Sequence, residues 1–266
     1  MKVRFAILSA VAGVALAASV QAATFTAYND CQSSTGGNAA NTTLYGFGGA
    51  GATTSGQLKD FATGNTVAAT VTVVNTSGVT SGSGPTAEFT TGTDAANMFG
   101  GKVINLGSVN YYGAAGWSFD LQFTNLTAGA NYVLATTVDR GNTNPAPITG
   151  YPNRWTVISL VGADSSAYAS SAGALAISST ATSIQSYNTE AGQLAKWTNI
   201  DPGADNAFTV HFTYAVNASE WGASGQDGVK AYGPAMFSLQ ESAVPEPTTL
   251  SLLGLAVLPL IRRRRA

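Results

Sequence analysis

Eight residues, Trp117 to Thr124, alternate without a break: Trp117, Phe119, Leu121 and Phe123 are apolar, whereas Ser118, Asp120, Gln122 and Thr124 are polar. Period two with a single apolar face is the pattern of an antiparallel strand buried on one side. Phe208 to Val216 repeats it, with Phe208, Val210, Phe212, Tyr214 and Val216 on one face and Thr209, His211 and Thr213 on the other. Such strands are not stable alone; they need neighbours to pair with and a second layer over the apolar face. Further strand-like runs are Val67 to Val74, Lys102 to Leu106, Tyr132 to Val138, Trp155 to Val161 and Ala235 to Leu239, each bounded by Gly, Asn, Ser or Pro. Asn125 to Ala130 reads as a hairpin connection, and Gly141 to Asn153, with Pro145, Pro147 and Pro152, as a longer loop. Residues 32–56, dense in Gly, Asn, Ser and Thr, read as long loops or an irregular edge. The one helical expectation is a short turn near Glu190 to Lys196. The predicted fold is all-β, a single antiparallel β-sandwich of jelly-roll type spanning 23–243.

A sandwich needs apolar residues to fill it, and the 266-residue chain has them: 45% are hydrophobic, with eleven Phe, ten Tyr and four Trp. Simple disorder is therefore disfavoured. The formal net charge of -2 hides an uneven distribution. Lys2, Arg4 and Arg262 to Arg265 lie at the two ends, and residues 23–243 hold thirteen acids and six bases, a net of -7. The cations of that segment, Lys59, Lys102, Arg140, Arg154, Lys196 and Lys230, form no basic stripe along the sequence, and nucleic acid is excluded as a partner on that ground.

The two ends carry their own patterns. Met1 to Ala22 has Lys2 and Arg4 in front, an apolar stretch from Phe5 to Val20, and small residues at Val20 and Ala22. That is a secretory signal peptide, with signal peptidase cleaving after Ala22. At the other end Pro245, Glu246 and Pro247 precede an apolar run, Leu250 to Ile261, and then Arg262, Arg263, Arg264 and Arg265. As a short hydrophobic helix this run spans about 18 to 21 Å, against a hydrocarbon core of about 30 Å. The prolines stop the helix from running back into the domain, and the arginines hold the end on the cytoplasmic side of the inner membrane.

The order Pro-Glu-Pro, short apolar helix and terminal Arg cluster resembles the PEP-CTERM sorting signal of Gram-negative bacteria, over residues 244–266. The resemblance implies recognition of Pro245, Glu246 and Pro247 by an exosortase, and delivery to the cell surface or into extracellular polysaccharide. The competing reading is an ordinary tail anchor that retains Arg262 to Arg265. The central segment also looks, more loosely, like the sandwich domains that precede such tails. It shares a Phe119-x-Leu121-x-Phe123 strand, Arg140 near a strand end and Tyr232-Gly233 before the final strand. No defined activity comes with that likeness.

Chemistry is sparsely signalled. His211 is the sole histidine and Cys31 the sole cysteine, which removes designs needing a second imidazole and any intramolecular disulfide. His211 reads as a solvated strand residue, outside any Ser-His-Asp arrangement, and Cys31 as a buried thiol or an intermolecular bridge. Paired carboxylates serve glycoside hydrolysis, but nothing in the spacing of Asp120, Asp139, Asp164, Glu190, Asp201, Asp205, Glu220 and Asp227 selects two of them. No catalytic residue is assigned. Asp201 and Asp205, in an Asp-Pro-Gly turn, are the best candidates for a cation such as Ca²⁺, and an ordinary turn is the alternative. Tyr111, Tyr112, Tyr151, Trp197 and Trp221 lie in or beside loops, where they either stack on sugar rings or plug strand ends. Asn41, Asn75, Asn125 and Asn217 sit in glycosylation triplets. The functional expectation is a non-enzymatic exported surface or matrix protein, with a carbohydrate-binding module as the alternative and a glycan hydrolase as a third.

Overall fold

The computed structural model describes residues 23–31, 41–44, 55–75, 77, 82–105, 107–112, 115–141, 154–185, 192–222, 225–226 and 228–242. The signal segment, the Pro-Glu-Pro tail with its arginines, Tyr151, Glu190 and Asp227 lie outside them. The strands, in chain order, are β1 (Ala23–Asp30), β2 (Thr43–Leu44), β3 (Ser55–Lys59), β4 (Thr66–Asn75), β5 (Gly82–Thr86), β6 (Gly107–Tyr112), β7 (Ser118–Thr124) and β8 (Asn131–Thr137). They continue with β9 (Trp155–Val161), β10 (Ser165–Tyr168), β11 (Leu175–Ala176), β12 (Ala181–Gln185), β13 (Ala195–Asp201), β14 (Phe208–Tyr214), β15 (Ala231–Tyr232) and β16 (Met236–Ser242). One α-helix, α1 (Asp94–Phe99), and a single 3₁₀ turn at Ala218–Glu220 complete the described elements. The fold is all-β, and among the described residues no helix is long and apolar enough to cross a membrane.

Two large sheets organise the chain. One has the order β10-β13-β8-β16-β1-β2 and the other β11-β12-β9-β14-β7-β4-β3, while β15-β6-β5 forms a small third sheet. Pairing is antiparallel except between β1 and the two-residue β2. The first and last of these strands are neighbours, with Ala23 opposite Ser242. In the seven-stranded sheet the alternating runs pair directly: Phe208 faces Phe123, Val210 faces Leu121 and Phe212 faces Phe119. Cross-strand aromatic pairs of this kind contribute roughly 0.2–1 kcal/mol each. The apolar faces of the two large sheets feed one buried cluster. Phe123 of one sheet meets Phe237 of the other edge to face, ring centroids 5.2 Å apart, and Tyr132 lies 6.5 Å from Phe208.

Three expectations are corrected. The described part of the expected strand Lys102 to Leu106, residues 102–105, is not a strand: α1 occupies the preceding stretch, and Lys102 Nζ turns back to Met98 O at 2.7 Å. The helical turn placed at Glu190 to Lys196 is replaced, in its described part, by an irregular 192–194 and the start of β13. Strand β14 stops at Tyr214, and Val216, assigned to the apolar face, is 58% exposed. Residues 32–56 include β2 and the first residues of β3.

Candidate functional site

The short helix α1 is defined by its ends. Thr93 caps it, its hydroxyl accepting from Ala96 N at 3.3 Å. At the other end a Cβ on Gly100 would meet Ala96 O at 2.4 Å, so only glycine passes there. Ala95 and Phe99 face the core, leaving Asp94 and Asn97 exposed and Met98 half-buried. The helix is docked onto the start of β13. Ala95 N donates to Gly192 O at 2.8 Å, and Ser171 Oγ donates to Asp94 Oδ2 at 2.6 Å while accepting from Leu194 N at 2.8 Å.

Between α1 and β13 this docking leaves a cleft of about 330 Å³, with Asp94, Asn97 and Met98 on one wall and Ala169, Ser171, Leu194 and Lys196 on the other. Among the described residues the Lys196 ammonium and the Asn97 side-chain amide have no hydrogen-bond partner, and Asp94 keeps Oδ1 beyond its bond to Ser171. The cleft therefore presents a cationic donor, an amide and a carboxylate oxygen around the apolar Met98 and Leu194. Among the described residues it holds one carboxylate, and the acid and base pair of a glycosidase is not assembled from them. Sequence reasoning missed this site because six helical residues are too few to show a period. The available signal was Thr93-Asp94, a capping residue followed by an acid at a helix start.

A second groove, about 320 Å³, is lined by Thr24, Thr26, Tyr28, Asp60, Phe61 and Lys102 among others. Its charges are already engaged. Asp60 accepts from Thr26 N, Thr63 N and Thr63 Oγ1, and Lys102 binds the end of α1 and lies 5.3 Å from the Tyr28 ring centroid.

On the outer face of the seven-stranded sheet, Asp120, His211 and Ser159 are consecutive cross-strand neighbours on β7, β14 and β9. His211 Nδ1 lies 2.5 Å from Asp120 Oδ1, with side chains 34% and 17% exposed. The histidine does point outward, but it is paired with a carboxylate and not simply solvated. The signal was present for Asp120 and His211, each at a polar position of an alternating run, but not for Ser159, whose strand does not alternate. No hydrogen bond joins Ser159 to His211, so the row lacks the engaged nucleophile that acyl transfer requires.

A buried polar group closes one end of the core. Tyr232 Oη accepts from Arg140 and Arg154 at 2.8 and 2.6 Å, bringing together the Arg and the Tyr of the loose likeness. Asp139 lies alongside, 1% exposed, its Oδ1 accepting from Gly141 N and its Oδ2 without a hydrogen-bond partner. Burial pushes this carboxyl up to about 7, against the lowering effect of backbone N–H groups at Gly141, Gly192 and Arg140 and of the Arg140 charge.

The remaining sequence candidates separate. Trp197 is fully buried, its Nε1 donating to Ser179 O at 3.1 Å, so it is a core residue and not a glycan contact. Trp221 is half-buried against the small cluster of Trp155, Val157 and Ala215. Tyr111 and Tyr112 lie in β6, opposite Tyr232 and Ala231. Asp201 Oδ1 accepts from Gly203 N at 3.0 Å, the bond of an Asx turn, and Asp205 is exposed. Among the described residues no group of three or more His, Cys, Asp or Glu side chains converges as a metal site. Asp164 packs against Gly203, and Glu220 is held by Val216 N and Asn217 N. Cys31 is buried, its sulfur accepting from Asn29 Nδ2 at 3.3 Å, and burial raises its thiol pKa. Of the glycosylation triplets, Asn41 bonds Phe61 O, Asn75 bonds Ser118 Oγ, Asn125 bonds Thr70 Oγ1 and Asn217 bonds Glu220 Oε1.

The described structure thus defines an all-β protein with a mixed-polarity cleft beside its one helix. No family model matches the chain, nor does any curated protein or solved structure.

Proposed function

We propose that this is an exported, non-enzymatic protein of a Gram-negative bacterium, sorted through its tail by an exosortase to the cell surface or extracellular matrix. The observation that carries the reading is the order of Pro245-Glu246-Pro247, an apolar run and Arg262 to Arg265. The placement of the strands supports it. Strand β1 begins at Ala23, directly after the proposed signal peptidase site, and β16 ends at Ser242, just before the tail. Both addresses are then removable without cutting a paired strand. The domain between them is a jelly-roll-like β-sandwich, a reading supported by the Phe123–Phe237 and Tyr132–Phe208 contacts between the large sheets. Intact mass of the extracellular protein, from cells with and without exosortase, tests the sorting step. The expected mature form lacks Arg262 to Arg265 only where exosortase is present; a mature extracellular species still ending at Ala266 overturns it.

A second reading, binding of extracellular polysaccharide by the same domain, is favoured by the cleft between α1 and β13. Its unengaged donors and acceptor lie where a polyhydroxylated ligand meets them. Retention of the exported protein on matrix polysaccharide is the expected result, and its absence on every such glycan leaves a structural role.

A further inference from the structure

Resting on the polysaccharide reading, we propose that the cleft between α1 and β13 is a subsite for one or two neutral sugar units, recognised by Lys196, Asn97 and Asp94. A ring hydroxyl both donates and accepts, so a vicinal pair needs a mixed set of partners. The cleft has that set: an ammonium that only donates, an amide that does both and a carboxylate oxygen that only accepts. All three keep unmet capacity among the described residues. Met98 and Leu194, half-buried and buried, supply the apolar contact that suits the C–H face of a sugar ring.

The same inventory disfavours other small ligands. A phosphate or sulfate would meet, among the described residues, a single cation with Asp94 opposite, on a domain whose net charge is -7. A divalent cation would find, among the described residues, one carboxylate beside an ammonium. A nucleobase would find no aromatic face among the described lining residues. The volume, about 330 Å³, lies near the lower end of the roughly 300–1,000 Å³ of small-molecule sites. Single-site binding is accordingly weak, and a repeating polymer compensates through many equivalent units.

The walls hold the Asp94 carboxylate and the backbone of Lys196 in place before any ligand arrives. Ser171 ties Asp94 to Leu194, and Lys196 is anchored through its backbone, its N–H donating to Ser170 Oγ at 3.0 Å and its carbonyl accepting from Ala169 N at 2.9 Å. A ligand then orders chiefly the Lys196 side chain, which limits the entropic cost of binding.

The test is affinity electrophoresis of the full chain in mild non-ionic detergent, through gels containing a neutral glucan, a neutral galactomannan or the polyanion alginate. Wild type should be retarded by at least one neutral polymer and not by alginate. Lys196→Met and Asn97→Leu, both at solvent-accessible side chains, should each weaken that retardation about tenfold, the size expected for losing a hydrogen bond in a polar site. Unchanged melting temperatures show that each variant still folds. Trp221→Ala should bind as wild type. Wild-type retardation that survives both cleft variants overturns the subsite and leaves polysaccharide binding standing, the more so if Trp221→Ala abolishes it. No retardation by any of the three polymers overturns the subsite and the polysaccharide reading together, and retardation by alginate alone overturns the neutral-sugar subsite and leaves polysaccharide binding standing.

Discussion

Gly141 stands at φ +71°, and a Cβ built there would lie 1.9 Å from Ala87 O and 2.9 Å from Asn105 Nδ2. Both of those atoms belong to one latch, in which Asn105 Nδ2 donates to Ala87 O at 2.8 Å and Ala87 N donates to Arg140 O at 2.9 Å. Gly129 has nearly the same backbone, φ +73°, with nothing within 4 Å. The two glycines therefore separate conformational strain from steric overlap. Gly129→Ala should cost about 1 kcal/mol, the left-handed penalty alone. Gly141→Ala should cost about 3 kcal/mol or more, because the latch must also move. Urea unfolding of the two variants gives the comparison, and equal midpoints would show that the Ala87–Asn105 contact yields freely. At the same scale, aromatic identity proved a poor guide to the surface. Trp197 was a candidate for sugar stacking only because its local sequence is polar; it is buried between partners distant in sequence, opposite Tyr168 and Leu134 on the flanking strands and bonded to Ser179 O.

The elements legible in the sequence were those whose two faces see constant surroundings. Strands β7 and β14 have one face on the core and one on solvent for their whole length, so apolar and polar residues alternate strictly. Strand β13 breaks this rule. Trp197 is opposite Leu134 and Ile200 opposite Tyr132, a register shift that inserts an extra residue between two core positions. Trp197 and Ile200 are thus spaced three apart, and the strict alternation of a strand is lost there. The bulge is carried by Asn199 at φ 50°, a conformation Asn tolerates and β-branched residues do not. Asn199→Gly should keep or slightly raise stability, whereas Asn199→Val should cost about 1–2 kcal/mol. Matched thermal melts check this, and a Val variant as stable as wild type would mean that β13 can repair its register. The cleft was illegible for a related reason. Its three polar groups come from a six-residue helix and from the bulged strand, and neither leaves a clean period in the sequence.

At the scale of the whole molecule, charge varies with depth as well as along the chain. Residues 23–243 carry thirteen acids and six bases, and two of those bases, Arg140 and Arg154, are buried on Tyr232 Oη, with Arg140 acting on the buried Asp139. The Asp139 carboxyl, raised by burial to about 7, holds its proton in the folded chain at pH values where the unfolded chain, at about 3.9, has lost it. Its contribution to stability is complete below about pH 4 and is lost as pH rises through about 7. Relief of net negative charge as pH falls acts in the same direction. Asp60 and Glu220 act oppositely. Burial pushes each upward, but hydrogen bonds from Thr63, Thr26 and Ala62 to Asp60, and from Asn217 and Val216 to Glu220, outweigh it and hold both below the usual carboxylate range. Their stabilisation is present above that range and disappears as pH falls through their lowered values. Stability should accordingly rise from pH 8 to a maximum near pH 5 and fall below about pH 4, a more acidic optimum than the mid-range of about pH 5 to 8 common among proteins. Urea midpoints between pH 3.5 and 8 measure the curve. In Asp139→Asn the slope between pH 5 and 7 should flatten by up to about 1.4 kcal/mol per pH unit, the contribution of one proton. A slope unchanged by that substitution would show that Asp139 is ionised in the folded protein throughout, with its charge balanced by Arg140.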